Sequence, residues 1–264
     1  MQRNLKTSYP LFAFLLLFLF SQVFSQQNEF NQKDSQGRKQ GQWRGYFESG
    51  GLRYEGQFTD DQPRGVFKYY YPKGELRAEL IHQPEEEAVK ATYYHRNQQI
   101  FGEGFFKGKK KDGLWRFFTD QGVLIADNYY QNGLNHGVWK SYFEDGKLAE
   151  IQTWHQGEQT GLFERYYPNQ KVYIRAQYTK GLLDGKYEIY YQDGKPMVIG
   201  YYNNNINDKI WTYYSRNGDI EKKIIYDEGE VLKEEIFIEK EEDEAIPLRP
   251  GPSTFDNIVS PDQL

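Results

Sequence analysis

The amino-acid sequence predicts an all-β protein, an elongated single-sheet antiparallel meander of about eight stacked 24-residue β-hairpin repeats. Three observations predict it. The chain repeats every 24 residues without insertion or deletion, in units beginning at Gly41, Gly65, Val89, Gly113, Gly137, Gly161, Gly185 and Lys209. The third position of each unit is Trp43, Phe67, Ala91, Trp115, Trp139, Phe163, Tyr187 or Trp211, and the sixth is Tyr46, Tyr70, Tyr94, Phe118, Tyr142, Tyr166, Tyr190 or Tyr214. Turn dipeptides recur in the middle and at the end of most units. A fixed period of this length means that each unit buries its apolar groups only by lying against its neighbours.

Each element follows from local chemistry. The mid-unit dipeptides are Ser49-Gly50, Lys73-Gly74, Asn97-Gln98, Gln121-Gly122, Asp145-Gly146, Asn169-Gln170, Asp193-Gly194 and Asn217-Gly218. Asp-Gly and Asn-Gly favour the type I′ turn of a two-residue hairpin, and the flanks are rich in strand-forming Tyr, Phe, Trp and Ile. A two-residue loop sets position 4 opposite position 15. That pairs Arg44 with Glu55, Lys68 with Glu79, Arg116 with Asp127 and, with the signs exchanged, Glu164 with Arg175. Thr92 faces Glu103, Lys140 faces Ile151, Glu188 faces Ile199 and Thr212 faces Lys223, so no like charges meet.

Alternation along a strand then sorts the faces. The position 3 rings, the position 12 aliphatics (Leu52, Leu76, Ile100, Leu124, Leu148, Val172, Ile220) and the position 18 residues from Phe58 to Tyr226 are expected on a packed face. The position 6 Tyr row and the charge pairs are expected on the other. A second turn, at Asn132-Gly133, Gln156-Gly157, Lys180-Gly181, Asn204-Asn205 and Glu228-Gly229, joins successive hairpins, giving a meander of about 16 strands. The segment Gln83-Pro84-Glu85-Glu86-Glu87 predicts an irregular connection between the second and third units.

The ends differ in composition. Arg3 and Lys6 precede an unbroken apolar run from Leu11 to Phe20 and small residues near Ser25, so residues 1–25 read as a cleaved signal peptide; an uncleaved anchor is the competing reading. Residues 26–40 read as a flexible leader, 41–232 as the repeat domain, and 233–264 as an acidic, Pro-containing, mostly disordered tail to which Ile236-Phe237-Ile238 adds a candidate capping strand. The expected localisation is therefore outside the cytoplasm: periplasmic, secreted or at the cell surface. With no cysteine, the chain forms no disulfide there. Losing Arg3 and Lys6 with the leader takes the formal charge from −5 to −7, which disfavours nucleic acid as a partner.

The run Tyr54-Glu55-Gly56-Gln57-Phe58, followed by Gly65, resembles the MORN (membrane occupation and recognition nexus) repeat. The run Gly137-Val138-Trp139-Lys140-Ser141-Tyr142-Phe143-Glu144-Asp145-Gly146-Lys147-Leu148 resembles its bacterial variant, often labelled antitoxin-like. The resemblance covers residues 41 to about 232. It implies a meander of hairpins serving as a scaffold, with protein and phospholipid contacts, and brings no catalytic residue.

Candidate chemistry is sparse. His82, His95, His136 and His155 occupy different unit positions and do not converge in this register, so no metal or cofactor is expected. The aligned carboxylates face bases, and an open meander offers no cleft for acid–base work, so the chain reads as non-enzymatic. The candidate interaction surface is the row Tyr46, Tyr70, Tyr94, Phe118, Tyr142, Tyr166, Tyr190 and Tyr214, read either as a rail for an extended partner or as a stabilising cover for the charge pairs. The candidate basic contact is Lys107, Lys109, Lys110 and Lys111, which reads otherwise as a solvated turn. The expected partner is another protein or a second copy of the chain. The alternatives are cell-wall glycan or phospholipid headgroups, and an immunity-type pairing with an exported toxin.

Overall fold

The computed structural model describes residues 29–84 and 86–238. The signal peptide read at 1–25 and the tail beyond 238 lie outside them. Twenty strands, from Gln32–Lys33 to Glu230–Ile236, form one open antiparallel sheet in which each hairpin arm pairs with the arms before and after it; there is no helix among the described residues. Sixteen strands are the two arms of the eight units. The others are the two terminal strands and two short pieces, Leu134–Asn135 and Glu158–Gln159, split from the arms that follow them.

Both ends extend the repeat further than the sequence suggested. Residues 29–40, read as part of a flexible leader, form a hairpin in which Gln32 and Lys33 pair with Gln40 and Lys39, closed by Asp34 accepting from the Arg38 and Gln36 backbone. The closing strand Glu230–Ile236 pairs with Ile220–Asp227, so the repeat body runs past 232 and the tail begins later than placed.

All eight position 4–15 pairs occur as read, from Arg44 opposite Glu55 to Thr212 opposite Lys223. The turn that produces them differs from the expected one. In the first unit the Gly50 N–H donates to the Phe47 carbonyl and the Phe47 N–H to the Gly51 carbonyl, which closes a three-residue loop. Only position 10 has positive φ, from Gly50 at 86° to Gly218 at 97°, whereas type I′ needs two such residues. This is a type I turn followed by a left-handed residue. The longer loop would slip the register by one, but a bulge between positions 5 and 6 restores it. Type I′ geometry lies at the other end of every unit but the second, as where Asn132 and Gly133 have φ of 52° and 83° and Asn204 and Asn205 have 49° and 68°.

The bulge also corrects one row. Position 12 is directly opposite position 6, as in Tyr46 with Leu52, Tyr142 with Leu148 and Tyr214 with Ile220. Facing residues share a face, so the position 12 aliphatics lie beside the Tyr row and not on the packed face.

The packed face is built from positions 3, 5, 14, 16 and 18. Where position 16 is glycine, at Gly56, Gly104 and Gly200, the position 3 ring of the following unit lies against it. A methyl group on Gly104 would come 2.4 Å from the Trp115 ring, and one on Gly200 would come 2.2 Å from Trp211. Sizes compensate at the exception, where Leu80 faces Ala91. The Trp115 and Trp211 indoles donate to the Phe105 and Tyr201 carbonyls at 3.0 and 3.1 Å. Rings of positions 3 and 18 then alternate in edge-on contact, as in Trp43–Phe58–Phe67 and Tyr187–Tyr202–Trp211.

Most units begin with a left-handed residue, such as Gly41, Gly65 or Gly137, at the bulge that admits the position 3 ring. The third unit shows what this residue is for. There, Leu80–Ala91 and Glu79–Thr92 continue one register with no bulge, and the extra residues sit in the Gln83–Glu87 loop. Val89 can then replace Gly, and the 24-residue period survives.

The core falls into two clusters. One runs from Phe67 to Trp139 and the other from Phe163 to Ile224. Between them the packed face turns polar. The Trp154 indole donates to Gln152, Gln152 donates to Glu150, and Arg165 pairs with Glu150 at 2.6 Å from the adjoining unit.

Candidate interaction surface

The outer face carries three kinds of row. Its centre is a charge ladder longer than the hairpin pairs suggested, because position 15 of each unit also faces position 4 of the next: Glu55 meets Lys68, Glu103 meets Arg116 and Arg175 meets Glu188. The row therefore passes from Arg44 to Glu235 across every arm of the sheet. Ion pairs occur along it, at 3.2 Å for Arg44–Glu55, 3.8 Å for Arg116 with both Glu103 and Asp127, and 2.6 Å for Arg175–Glu164. The exposed pairs contribute about 0–1 kcal/mol each.

The ladder changes sign part-way. Up to Lys140 the bases occupy position 4 and the acids position 15; from Glu164 onward the acids occupy position 4 and Arg175 and Lys223 occupy position 15. The uncharged residue between the two orders is Ile151, which faces Lys140 on one side and Glu164 on the other.

The position 6 row lies beside this ladder and is tied to it. The Tyr70, Tyr94 and Tyr142 hydroxyls donate to Glu55, Glu79 and Asp127 of the preceding unit at 2.7, 2.9 and 2.9 Å. Where the acids move to position 4, the hydroxyls follow them: Tyr166 donates to Glu164 and Tyr190 to Glu188 within their own units. Partial burial, and then the hydrogen bond to a carboxylate, pushes the Tyr70, Tyr94, Tyr142 and Tyr166 phenols up to about 12. Phe118 has no hydroxyl to donate, and Tyr46, first in the row, is 56% exposed.

A third row had no sequence signal strong enough to be singled out. Positions 2 and 17 flank the ladder on its other side and leave Val66, Phe105, Leu114, Val138, Leu162 and Ile210 exposed to water. Leu114 faces Tyr129 and Ile210 faces Ile225, so apolar surface recurs unit after unit. The sign in the sequence is the aliphatic residue after the unit's first Gly, in Gly65-Val66, Gly113-Leu114, Gly137-Val138 and Gly161-Leu162.

The lysine cluster does not form one patch. Lys107 and Lys110 face each other across the Gly108-Lys109 turn. Lys107 pairs with Glu87 at 3.2 Å, while the Lys111 ammonium lies over the packed-face ring of Tyr130 at 4.8 Å. Two histidines do meet, contrary to the sequence reading: His136 and His155 have ring centroids 5.3 Å apart. His82 packs edge-on to Phe67, and burial pushes its pKa down. The described residues hold no group of three or more His, Asp and Glu placed to bind a metal ion. Nor do the described residues include a helix long and apolar enough to cross a membrane.

A second set of side chains joins unit to unit near the hairpin turns. The Tyr71, Tyr167 and Tyr191 hydroxyls donate to the Tyr94, Tyr190 and Tyr214 carbonyls of the next unit. Where Gln replaces Gly in the left-handed slot, Gln98 and Gln170 donate back to the Leu76 and Leu148 carbonyls. Asn97 and Asn169 donate forward to Asp120 and Gln192.

Residues 39–60, 63–83, 135–156 and 183–204 match the family model described as the MORN repeat variant. These stretches are MORN repeat variants. They fall on the first, second, fifth and seventh units, and the remaining MORN-variant-like units share their register. No curated protein matches the chain. Among solved structures, the crystal structures of TcdB2-TccC3-Cdc42 and of TcdB2-TccC3 each align with 74% of this chain and 13% of theirs, at 13% identity and a TM-score of 0.20. A Photorhabdus luminescens Tc holotoxin pore carrying TccC3-D651A aligns with 73% of this chain and 13% of its own, at 12% identity and a TM-score of 0.17. The chain thus spans about an eighth of the solved chains it matches.

Proposed function

We propose that the chain is an exported, non-enzymatic repeat scaffold that binds another protein through its outer sheet face. The observation that carries this reading is the pair of apolar rows flanking a charge ladder. Exposed aliphatic residues repeated at a fixed spacing favour association, and the ladder between them supplies polar register. The carboxylates of the face are held by bases and by Tyr hydroxyls, which supports a recognition role over acid–base catalysis. Export rests on the charged start, apolar run and small residues of the first 25 positions. The glycan alternative draws less support, because the hydroxyls that would read a sugar donate to carboxylates. Capture with the chain bearing Leu114→Asp, Val138→Asp and Leu162→Asp tests the reading. Loss of a protein partner that the unaltered chain recovers, with circular dichroism unchanged, is the expected result. Equal recovery by both, or retention on a polysaccharide column with no protein recovered, would refute it.

A further inference from the structure

We propose that the outer face is the contact surface of a homodimer, in which two copies lie face to face about a twofold axis parallel to the strand Leu148–His155. This rests on the protein-binding reading of the face and names the partner as a second copy of the chain.

The inversion of the charge ladder at Ile151 carries the inference. A twofold axis running along this strand, midway between the two faces, sets each strand against the one equally far on the other side. Height along the strand is preserved, so every row meets itself in reverse order. A residue on the axis meets its own copy and must be uncharged. The outer-face residues of the central strand are Leu148, Ile151, Thr153 and His155, the first three opposite Tyr142, Lys140 and Val138 within the chain. One strand out, Lys140 meets Glu164 of the second copy. Two strands out, Asp127 meets Arg175, and three out, Arg116 meets Glu188. The same count sets Lys68 against Glu235 at the far end. Had the first half kept its sign order through the second, each of these meetings would join like charges.

The flanking rows match under the same operation. Val138 meets Leu162, Leu124 meets Val172 and Phe105 meets Tyr201, so apolar groups cover apolar groups near the axis and along the Tyr row, while farther out Leu114 meets Lys186 and Ile210 meets Lys90. A uniformly twisted sheet is saddle-shaped, and this rotation carries a saddle onto a parallel copy of itself, at the spacing of about 10 Å for stacked sheets. The other in-plane twofold, across the strands, would set every charge on itself.

Sedimentation equilibrium on the chain as the cell processes it, from about 1 to about 100 µM and at low and high salt, tests the dimer. The expected mass is twice that of the chain, with weaker association as salt rises. Ile151→Lys puts two like charges on the axis and is expected to raise Kd at least about tenfold, with circular dichroism unchanged. The chain has no cysteine, so Thr153→Cys should give a covalent dimer with a short bismaleimide, whereas Gln57→Cys, whose strand meets none of the described strands, should not. A folded monomer at every concentration, an Ile151→Lys variant that associates as well as the parent, or equal cross-linking through Gln57→Cys overturns the proposal. A monomer that still captures a different protein sinks the dimer and leaves the broader reading in place.

Discussion

The units before Trp154 and those after it solve one folding problem with opposite signs. In the first half the acids sit on the outgoing arm of each hairpin, and Tyr70, Tyr94 and Tyr142 reach them across the junction between units. In the second half the acids sit on the incoming arm, and Tyr166 and Tyr190 reach them within the unit. The packed faces, in contrast, follow one scheme in both halves, with a position 3 ring flat on the preceding backbone. The difference teaches which constraint the repeat obeys. Packing sets a large ring on a glycine in both halves, at Gly56–Phe67, Gly104–Trp115 and Gly200–Trp211, while Asn128 and Gln152 take that place before Trp139 and Phe163. Electrostatics needs only opposite charges as neighbours, so the signs can exchange provided an uncharged residue, here Ile151, separates the two orders.

The comparison is broken most severely at the rings. Trp115→Ala and Trp211→Ala should each cost about 3–5 kcal/mol, because both rings are fully buried. Hydrogen exchange should show the loss concentrated in the mutated half; uniform loss would mean that the polar seam transmits strain as well as an apolar core does. Next comes the seam. Arg165→Ala strips Glu150 of its cationic partner, leaving only Gln152 to donate to it, and should cost about 1–3 kcal/mol in denaturant unfolding. Joint replacement of both residues by Leu should recover much of that loss. Smaller still, Tyr70→Phe and Tyr166→Phe should each cost about 1 kcal/mol, alike in the two halves despite the different route of the bond. A loss confined to one would show that the within-unit and between-unit arrangements are not equivalent.

The mildest effect is on pH. The Tyr70, Tyr94, Tyr142 and Tyr166 phenols titrate at about 12 in the folded chain against 10.0 when free. The folded state thus holds protons that the unfolded state loses first. Their contribution is complete below pH 10 and fades as pH rises toward about 12. Melting temperature against pH should decline over that window, together with the late phase of tyrosinate absorbance.

Much of this was legible in the sequence because period and pairing are arithmetic. The Arg44–Glu55 and Glu164–Arg175 pairs follow from the repeat even though the turn beside them is a three-residue loop and not the expected two-residue one. One residue added to the loop and one bulged from the strand leave the distant register unchanged. Near the turn the two offsets do not cancel, and there Leu52 and Leu148 lie on the face opposite to the one that simple alternation predicts. The left-handed slot was hidden for a related reason. Gly50 fits either turn type, and only Gln98 and Gln170, at φ of 69° and 66°, show that one special residue suffices. The meeting of His136 with His155 depends on the Asn132-Gly133 and Gln156-Gly157 turns stacking side by side, a contact between units that pairing within a hairpin does not reveal.

The third unit, where loop and bulge trade residues while their sum stays constant, bears on how such a chain can grow. A single added residue within an arm would turn every outward side chain beyond it inward. Whole modules, or exchanges that balance, leave the faces as they were. Lineages of this protein should therefore differ by steps of one full module, as a ladder differs by rungs and never by fractions of them.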